Sequence, residues 1–485
     1  MKVLLINPSF NRYAGIKGHG GLSAPLNLAC LAAYLREQRH DTEIEILDAE
    51  AYGLSYEETL IRVIAFNPNL IGITTTTPSF DIIVELINRI HNKLPATPII
   101  LGGPHATGSP EECASTEGVT AVVLGEGELT FIEIYDAIKN GNAINVIKGI
   151  CFKKEDSVIF TGKRDLIKDL DSLPLPARDL LPMRLYYSPP TKSISEDRTA
   201  NIISSRGCPF HCTYCLSDMM WDRKYRHRSP ENVIAEIEHL INDYGIREFN
   251  FNDDLFTADK KRLAGFCELI IEKKLDIKWV CMSRADYIQP DILKLMKKAG
   301  CGKIAMGLES GSQQVLKAMN KRLDLSRSVE AVREIKKAGI KVGVSFVIGH
   351  IGETPDTIKE TIRLAKMCNP DTVAFFQASP YPGTEFYRMS KGAGYLRPNL
   401  KWIDFAIVSD KISTVNLPGL PAEEIHRWVT KAYKSFYLSP RYILSRLKQI
   451  RSFHDIKNLL GGVAIFLKIT AGSLFSANRK ERHEN

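Results

Sequence analysis

No stretch of the 485 residues approaches the roughly 20 consecutive apolar side chains that a membrane-crossing helix requires. The opening "MKVLLINPSF" has no basic flank and no small-residue cleavage site, so it reads as a first buried strand and not as a secretory leader. Paired cysteine spacing is missing too. Seven of the ten cysteines (Cys30, Cys113, Cys151, Cys267, Cys281, Cys301 and Cys368) stand singly among apolar neighbours, as small buried hydrophobes do, and the other three crowd into one short run. That excludes a disulfide framework and points to a reducing cytoplasm. Internal repeats and low-complexity tracts are absent. The body also lacks a basic surplus: of the net charge of +8, nine Lys/Arg against three Asp/Glu between Ser439 and Asn485 supply +6, leaving no basic cleft and no nucleic-acid partner.

What is present is globular in composition, 44% hydrophobic and 25% charged, and long enough for about two to four domains. From Met1 to about Asn140, β-rich runs alternate with stretches of helical period. The strands are "KVLLIN" (2–7), "EIEILD" (43–48), "LIGITT" (70–75), "PIILGG" (98–103) and "AVVLG" (121–125), with helices near 25–37, 56–66, 79–93 and 128–139. This pattern predicts an α/β domain with a doubly wound, flavodoxin- or Rossmann-like parallel sheet, whose ligand sits beyond the carboxyl ends of the strands. Residues 141–195 read as a hairpin followed by a connector, because "SLPLPARDLLPMRLYYSPP" carries five prolines. Between 196 and 397 six more β/α units follow, opening on "NIISS", "EFNFND", "WVCMS", "KIAMGL", "KVGVSFVIG" and "TVAFFQAS". They predict a partial, TIM-like (β/α)6 barrel with its chemistry at the strands' carboxyl ends. The region 398–485 reads as a helical, basic extension.

"SRGCPFHCTYC" (205–215) places Cys208, Cys212 and Cys215 in a loop just past the first barrel strand. The C-x3-C-x2-C spacing lets one loop cover a face of a cubane and leaves the fourth iron without a protein ligand. A zinc knuckle would need a fourth ligand at workable spacing, and His211 lies inside the loop. "RGCPFHCTYC", with the aromatic Tyr214 before its last cysteine, resembles the signature of the radical S-adenosylmethionine (SAM) enzymes. The resemblance implies a [4Fe-4S] cluster whose open iron is chelated by SAM, and one-electron cleavage of SAM to methionine and a 5′-deoxyadenosyl radical. It further implies SAM contacts at successive strand ends: Asp253 and Asp254 for the amino group, Arg284 for the carboxylate, Glu309 and Ser310 for ribose or amino acid, and the turn holding Gly349 and Gly352 for adenine.

The front domain, with "TTTTPSF", "GGPHAT", "GEGE" and the connector "LPLPARDLLP", resembles that of the cobalamin-binding radical SAM enzymes. The resemblance implies cobalamin contacts from Thr75 and Ser79, close approach of the corrin at Gly102 and Gly103, a polar contact from His105, and lining by Gly125 and Glu126. One departure concerns cobalt. The loop "AGIKGHGGL" lacks D-x-H-x-x-G, since Lys17 stands at the Asp position of a frame containing His19, so no histidine ligand to cobalt is expected there. The expected reaction is C-methylation of an unactivated carbon. Alternatives are a cyclase or rearrangement enzyme of the same family, a radical SAM enzyme without cobalamin, and a non-catalytic corrinoid or metal carrier. A methylthiotransferase of transfer RNA would want three further cluster cysteines in the front domain and a terminal β-barrel. Expected partners are a small molecule, with a lipid or isoprenoid considered because "SPRYILSRLKQIRSFHDIKNLL" (439–460) is basic and amphipathic enough for peripheral membrane contact, and an electron donor such as flavodoxin or ferredoxin.

Overall fold

The computed structural model describes residues 1–10, 21–189, 193–194, 198–406 and 411–447. The loop holding Lys17 and His19 and the tail beyond Leu447 lie outside the described residues. The first sheet has the order β2 (Glu43–Asp48), β1 (Lys2–Asn7), β3 (Leu70–Thr74), β4 (Ile99–Gly102), β5 (Val119–Val123), β6 (Ile150–Lys154), β7 (Ser157–Phe160). The first five run parallel in the flavodoxin order, and β6 and β7 add on antiparallel. The hairpin expected near 141–165 therefore belongs to this sheet, because β6 pairs with β5 through Val122 and Val123. Strands such as β1 read as unbroken apolar runs because helices cover both faces, leaving Val3, Leu4, Leu5 and Ile6 at 1% exposure or less.

The second sheet contains β8 (Thr199–Ile202), β11 (Glu248–Phe251), β12 (Lys278–Ser283), β13 (Cys301–Glu309), β14 (Lys341–Ile348) and β15 (Thr372–Gln377) in consecutive order, all parallel. Between β8 and β11 a short ribbon of β9 (Ser205–Arg206) and β10 (Arg226–His227) closes a loop. Helices separate the strands as the sequence pattern requires. Ser229 caps the helix Pro230–Tyr244 by accepting from Asn232 N–H, with Pro230 at its first position. A six-unit barrel leaves edge strands. At β15 the exposed ladder is met by tyrosines of the helix Ala422–Tyr437: Tyr433 accepts from Phe375 N–H, while Tyr437 accepts from Val373 N–H and donates to Val373 C=O. That capping suppresses edge pairing with another chain.

The connector is buried between the domains. Ala177, Leu181, Met183 and Tyr186 are in the core, Ala177 N–H donates to Ala29 C=O, and Tyr186 donates to Asp48. Arg178, fully buried, pairs with Glu236 of the first barrel helix, which also holds Arg228. One apolar cluster runs from Leu5, Ala29 and Phe131 of the front domain to Ile202, Phe249 and Trp279 of the barrel. The two domains share a core, which holds their facing loops in a fixed relation.

Candidate active site

The loop 207–225 hangs from the β9–β10 ribbon at the carboxyl end of β8. None of its three cysteines is in a disulfide. Cys215 N–H donates to Cys212 C=O, Ser217 N–H points at Cys215 Sγ at 3.5 Å, and Phe210 N–H supports Cys208. The loop is pinned from three sides: Thr213 N–H bonds Met319 C=O, Asn320 Nδ2 bonds His211 C=O at 2.7 Å, and Phe386 N–H bonds Thr213 C=O. Burial pushes the thiol of Cys208 up and that of Cys215 to about 12, so a cationic metal is what would draw off their protons. Among the described residues no three His, Cys, Asp or Glu side chains gather as a single metal ion requires. Three thiols on one loop, two of them met by N–H donors, are a ligand set that an iron–sulfur cluster with one open iron would take.

At the strand ends the expected residues divide. Asp254 follows β11 into the cluster loop, where it accepts from Ser217 Oγ (2.8 Å), Gly207 N–H and Trp221, and its charge reaches Cys208 and Cys215. Asp253 turns the other way: Ser204 N–H, Ser204 Oγ and Ser205 Oγ all donate to it at 2.6–2.8 Å, so it is spent on tying β8 to β11. Arg284 lies buried, its guanidinium 3.6 Å from the Phe210 ring centre, forked onto Asp286 and bonded to Lys321 C=O. Burial disfavours its charge, and Asp286 more than compensates. Glu309 sits at a register shift in β13 with φ +65, a costly conformation for a non-glycine residue, and pairs with Lys321 at 3.1 Å and with Tyr214. Ser310 is consumed internally by Thr361 and Ser312 N–H.

The turn after β14 has Gly349 and Gly352 at φ +100 and +88 and carries two residues the sequence reading passed over. His350, fully buried, bonds Thr213 of the cluster loop at 3.0 Å and stacks on Phe386; burial lowers it to about 4. Glu353 accepts from Gly349 and His350 N–H, and burial raises it to about 8. Lys321 was also missed. For His350 and Glu353 the signal was a titratable residue beside a glycine of the turn; Lys321, between Asn320 and Arg322, carried none, and only the fold pairs it with Glu309 and sets His350 on the cluster loop.

The loops of the front domain after β3, β4 and β5 face this side. Thr75 bonds Gly102 C=O and Ala106 N–H, and Ser79 bonds Thr76, so both hydroxyls serve the loop itself. Within "GGPHAT" the chain forms a short helix, Pro104–Gly108, started by its proline. His105 bonds Thr77 through Nδ1, packs on Phe80 (4.3 Å) and Trp402 (4.9 Å), and is lowered to about 4 by burial, while its buried Nε2 has no partner among the described residues. Gly102 opens on free space where a Cβ would meet nothing, whereas Gly103, at φ +101, would drive a Cβ to 2.7 Å from Thr75 O. An orphaned buried nitrogen beside an open glycine fits a bulky polar-edged ligand such as a corrinoid. Glu126 is held away from such a role by Arg206 and Arg226, and Gly125 N–H bonds Thr107. A surface cleft lined by His91, Pro95 and Gly118 lies at the amino ends of β4 and β5, remote from these loops.

A cluster loop at the mouth of a partial barrel, faced by a flavodoxin-like domain, defines a radical SAM enzyme with a second cofactor domain. Residues 202–365 match the model of the radical SAM superfamily and residues 19–135 that of the B12 binding domain. The chain is 33% identical over 471 residues to "Uncharacterized methyltransferase PH0819" of Pyrococcus horikoshii, covering 96% of this chain and 98% of that one. It is 27% identical to the anaerobic magnesium-protoporphyrin IX monomethyl ester cyclase of Cereibacter sphaeroides, covering 98% and 76%. It is 26% identical to the hopanoid C-3 methylase of Methylococcus capsulatus, covering 79% and 72%. Its fold resembles the cobalamin- and [4Fe-4S]-bound methyltransferase TsrM of Kitasatospora setae with a TM-score of 0.73 at 16% identity, covering 96% and 99%. The chain belongs to the cobalamin-binding radical SAM enzymes, which work with a [4Fe-4S] cluster, SAM and cobalamin.

Proposed function

We propose that the enzyme methylates an unactivated carbon of a small molecule, with Cys208, Cys212 and Cys215 holding the cluster. The observation that carries this reading is the packing of the cysteine loop against the front domain: the helix Ser217–Trp221, two residues past Cys215, packs Met219 against Gly108 of the front domain and brings Met220 C=O near Gly125. When bound, SAM and cobalamin supply the radical and the methyl group. The chain's own part is to orient them and keep water out. In this reading Arg284, now forked onto Asp286, and Lys321, now paired with Glu309, would turn to the SAM carboxylate, Asp254 and Glu309 would take its ammonium or ribose, and the Gly349–Gly352 turn would take adenine. Gly102 and His105 are the residues this reading assigns to the corrin. The methyltransferase relative aligned over nearly its whole length favours this reading; the cyclase relative favours ring formation as the second.

The deciding experiment is anaerobic reconstitution, reduction, and incubation with methyl-labelled SAM and an extract of the source cells as substrate supply. Methylation predicts deoxyadenosine, S-adenosylhomocysteine and label in a small molecule, all lost with Cys208→Ala. Deoxyadenosine without label transfer would favour the cyclase. No deoxyadenosine at all would overturn the enzyme reading.

A cytoplasmic enzyme reduced by flavodoxin or ferredoxin and resting on a lipid surface completes the proposal. Among the described residues no helix is long and apolar enough to cross a membrane. The last described helix, Pro440–Leu447, exposes Ile443, Leu444 and Leu447 beside Arg441. That mixture suits an anionic bilayer and an isoprenoid or other lipid substrate. Anionic vesicles should retain the full chain and release one truncated after Leu438; equal retention would remove the membrane contact.

A further inference from the structure

Glu126 and Glu128, at the start of the last front-domain helix, meet two arginines that face each other across the β9–β10 ribbon. Arg206 bonds Glu126 at 2.7 Å and Glu128 at 2.5 Å, and Arg226 bonds both oxygens of Glu126 at 2.8 and 3.0 Å. All four side chains are 5–12% exposed. Burial opposes these charges, yet Arg206 holds Glu128 below the usual carboxylate range, and Glu128 in turn holds Arg206 protonated. Both guanidinium groups lie over the Trp221 ring, at 5.8 and 5.7 Å. Trp221 then bonds Asp254, the carboxylate that also receives Ser217 Oγ and whose charge is felt by Cys208 and Cys215. The chain of contacts thus runs unbroken from the cobalamin-type domain to the cysteines.

A second, separate observation locks the same helix. A Cβ on Gly383, in the loop after β15, would come within 2.2 Å of Met219 Sδ, and one on Gly108 within 2.4 Å of Pro382 O, so front domain, cluster helix and last barrel loop meet with no room for a side chain. Buried charge-assisted pairs cost desolvation and are geometrically exacting, which suits setting a position better than adding stability.

We infer that Glu126, Arg206 and Trp221 are positioning residues that fix the cluster loop against the front domain and thereby set the separation of the two cofactors. The inference rests on the family reading above. To test it, full-length protein is reconstituted with iron, sulfide and hydroxocobalamin, poised with both centres paramagnetic, and the distribution of distances between the two spins is measured by pulsed EPR. Glu126→Gln and Arg206→Lys should keep iron and corrin content but widen the distribution at least about twofold, because neither can fork across two partners. Trp221→Phe, which keeps a ring under the arginines and removes only the N–H to Asp254, should widen it as well, so a folding failure of the ion-pair variants does not shield the idea. Lys163→Ala, which breaks the exposed Lys163–Asp222 pair beside the same loop, should leave it unchanged. Lower thermal stability with an unaltered distribution would assign these residues to stability alone and overturn the inference. A parent protein that binds iron without corrin would instead sink the two-cofactor reading, and this inference with it.

Discussion

Asp253 and Asp254 are adjacent, alike and oppositely employed. One has every oxygen taken by Ser204 and Ser205 and acts as a rivet; the other faces the cysteine loop. The "NDDLF" stretch marked the place but left their division of labour open, because it depends on which way the chain turns after β11. Glu353 yields a residue-scale prediction. Its carboxyl is raised from an ordinary 4.5 to about 8 by burial, so the folded chain keeps a proton that the unfolded chain loses across that window. The stability it contributes is full below about pH 4.5 and is lost as pH rises toward 8. In chemical denaturation, the parent should therefore lose stability relative to Glu353→Gln between pH 5 and pH 8. His105 and His350, lowered to about 4 by burial, act with the opposite sign: what they contribute is lost as pH falls from 6.5 toward 4.

Among elements, the short β-to-helix passages after β3 and β4 concentrate the demand on backbone. Gly102 and Gly103 look equivalent in sequence, and the fold separates them. Gly103→Ala forces a Cβ onto Thr75 O at positive φ and should cost about 1–3 kcal/mol, read as a lower melting temperature. Gly102→Ala meets no atom within 4 Å and should leave melting unchanged while weakening cobalamin retention several-fold, measured by corrin absorbance after gel filtration. Strand positions were legible because parallel strands buried on both faces read as continuous apolar runs. The helix Pro104–Gly108 was not, since a five-residue helix has too few positions to show a period.

For the whole molecule, the connector that composition marks as a proline-rich link proves to be interior. Arg178, Glu236 and Arg228 form a buried charged triad behind the shared core. Removing its middle member, Glu236→Ala, strands two buried cations and should cost about 3–5 kcal/mol, with the loss shared by both domains in calorimetry because one apolar cluster spans them. Glu236→Gln should recover part of it.

By itself, the order of residues determined the two α/β domains, the six barrel strands, the flavodoxin-like sheet and the three-cysteine loop, because apolar period and ligand spacing are local properties carried by neighbours in the chain. Tertiary structure alone decided which polar residues face the cysteines. Lys321, His350 and Glu353 lie more than a hundred positions away from Cys208; His350 meets its loop at Thr213, Lys321 pairs with Glu309, which Tyr214 bonds, and Glu353 holds the His350 turn, while Glu126, Thr75 and Ser310 were drawn into bonds that no local pattern encodes. A buried polar atom must find a partner, and which partner it finds is settled by the packing of the whole chain.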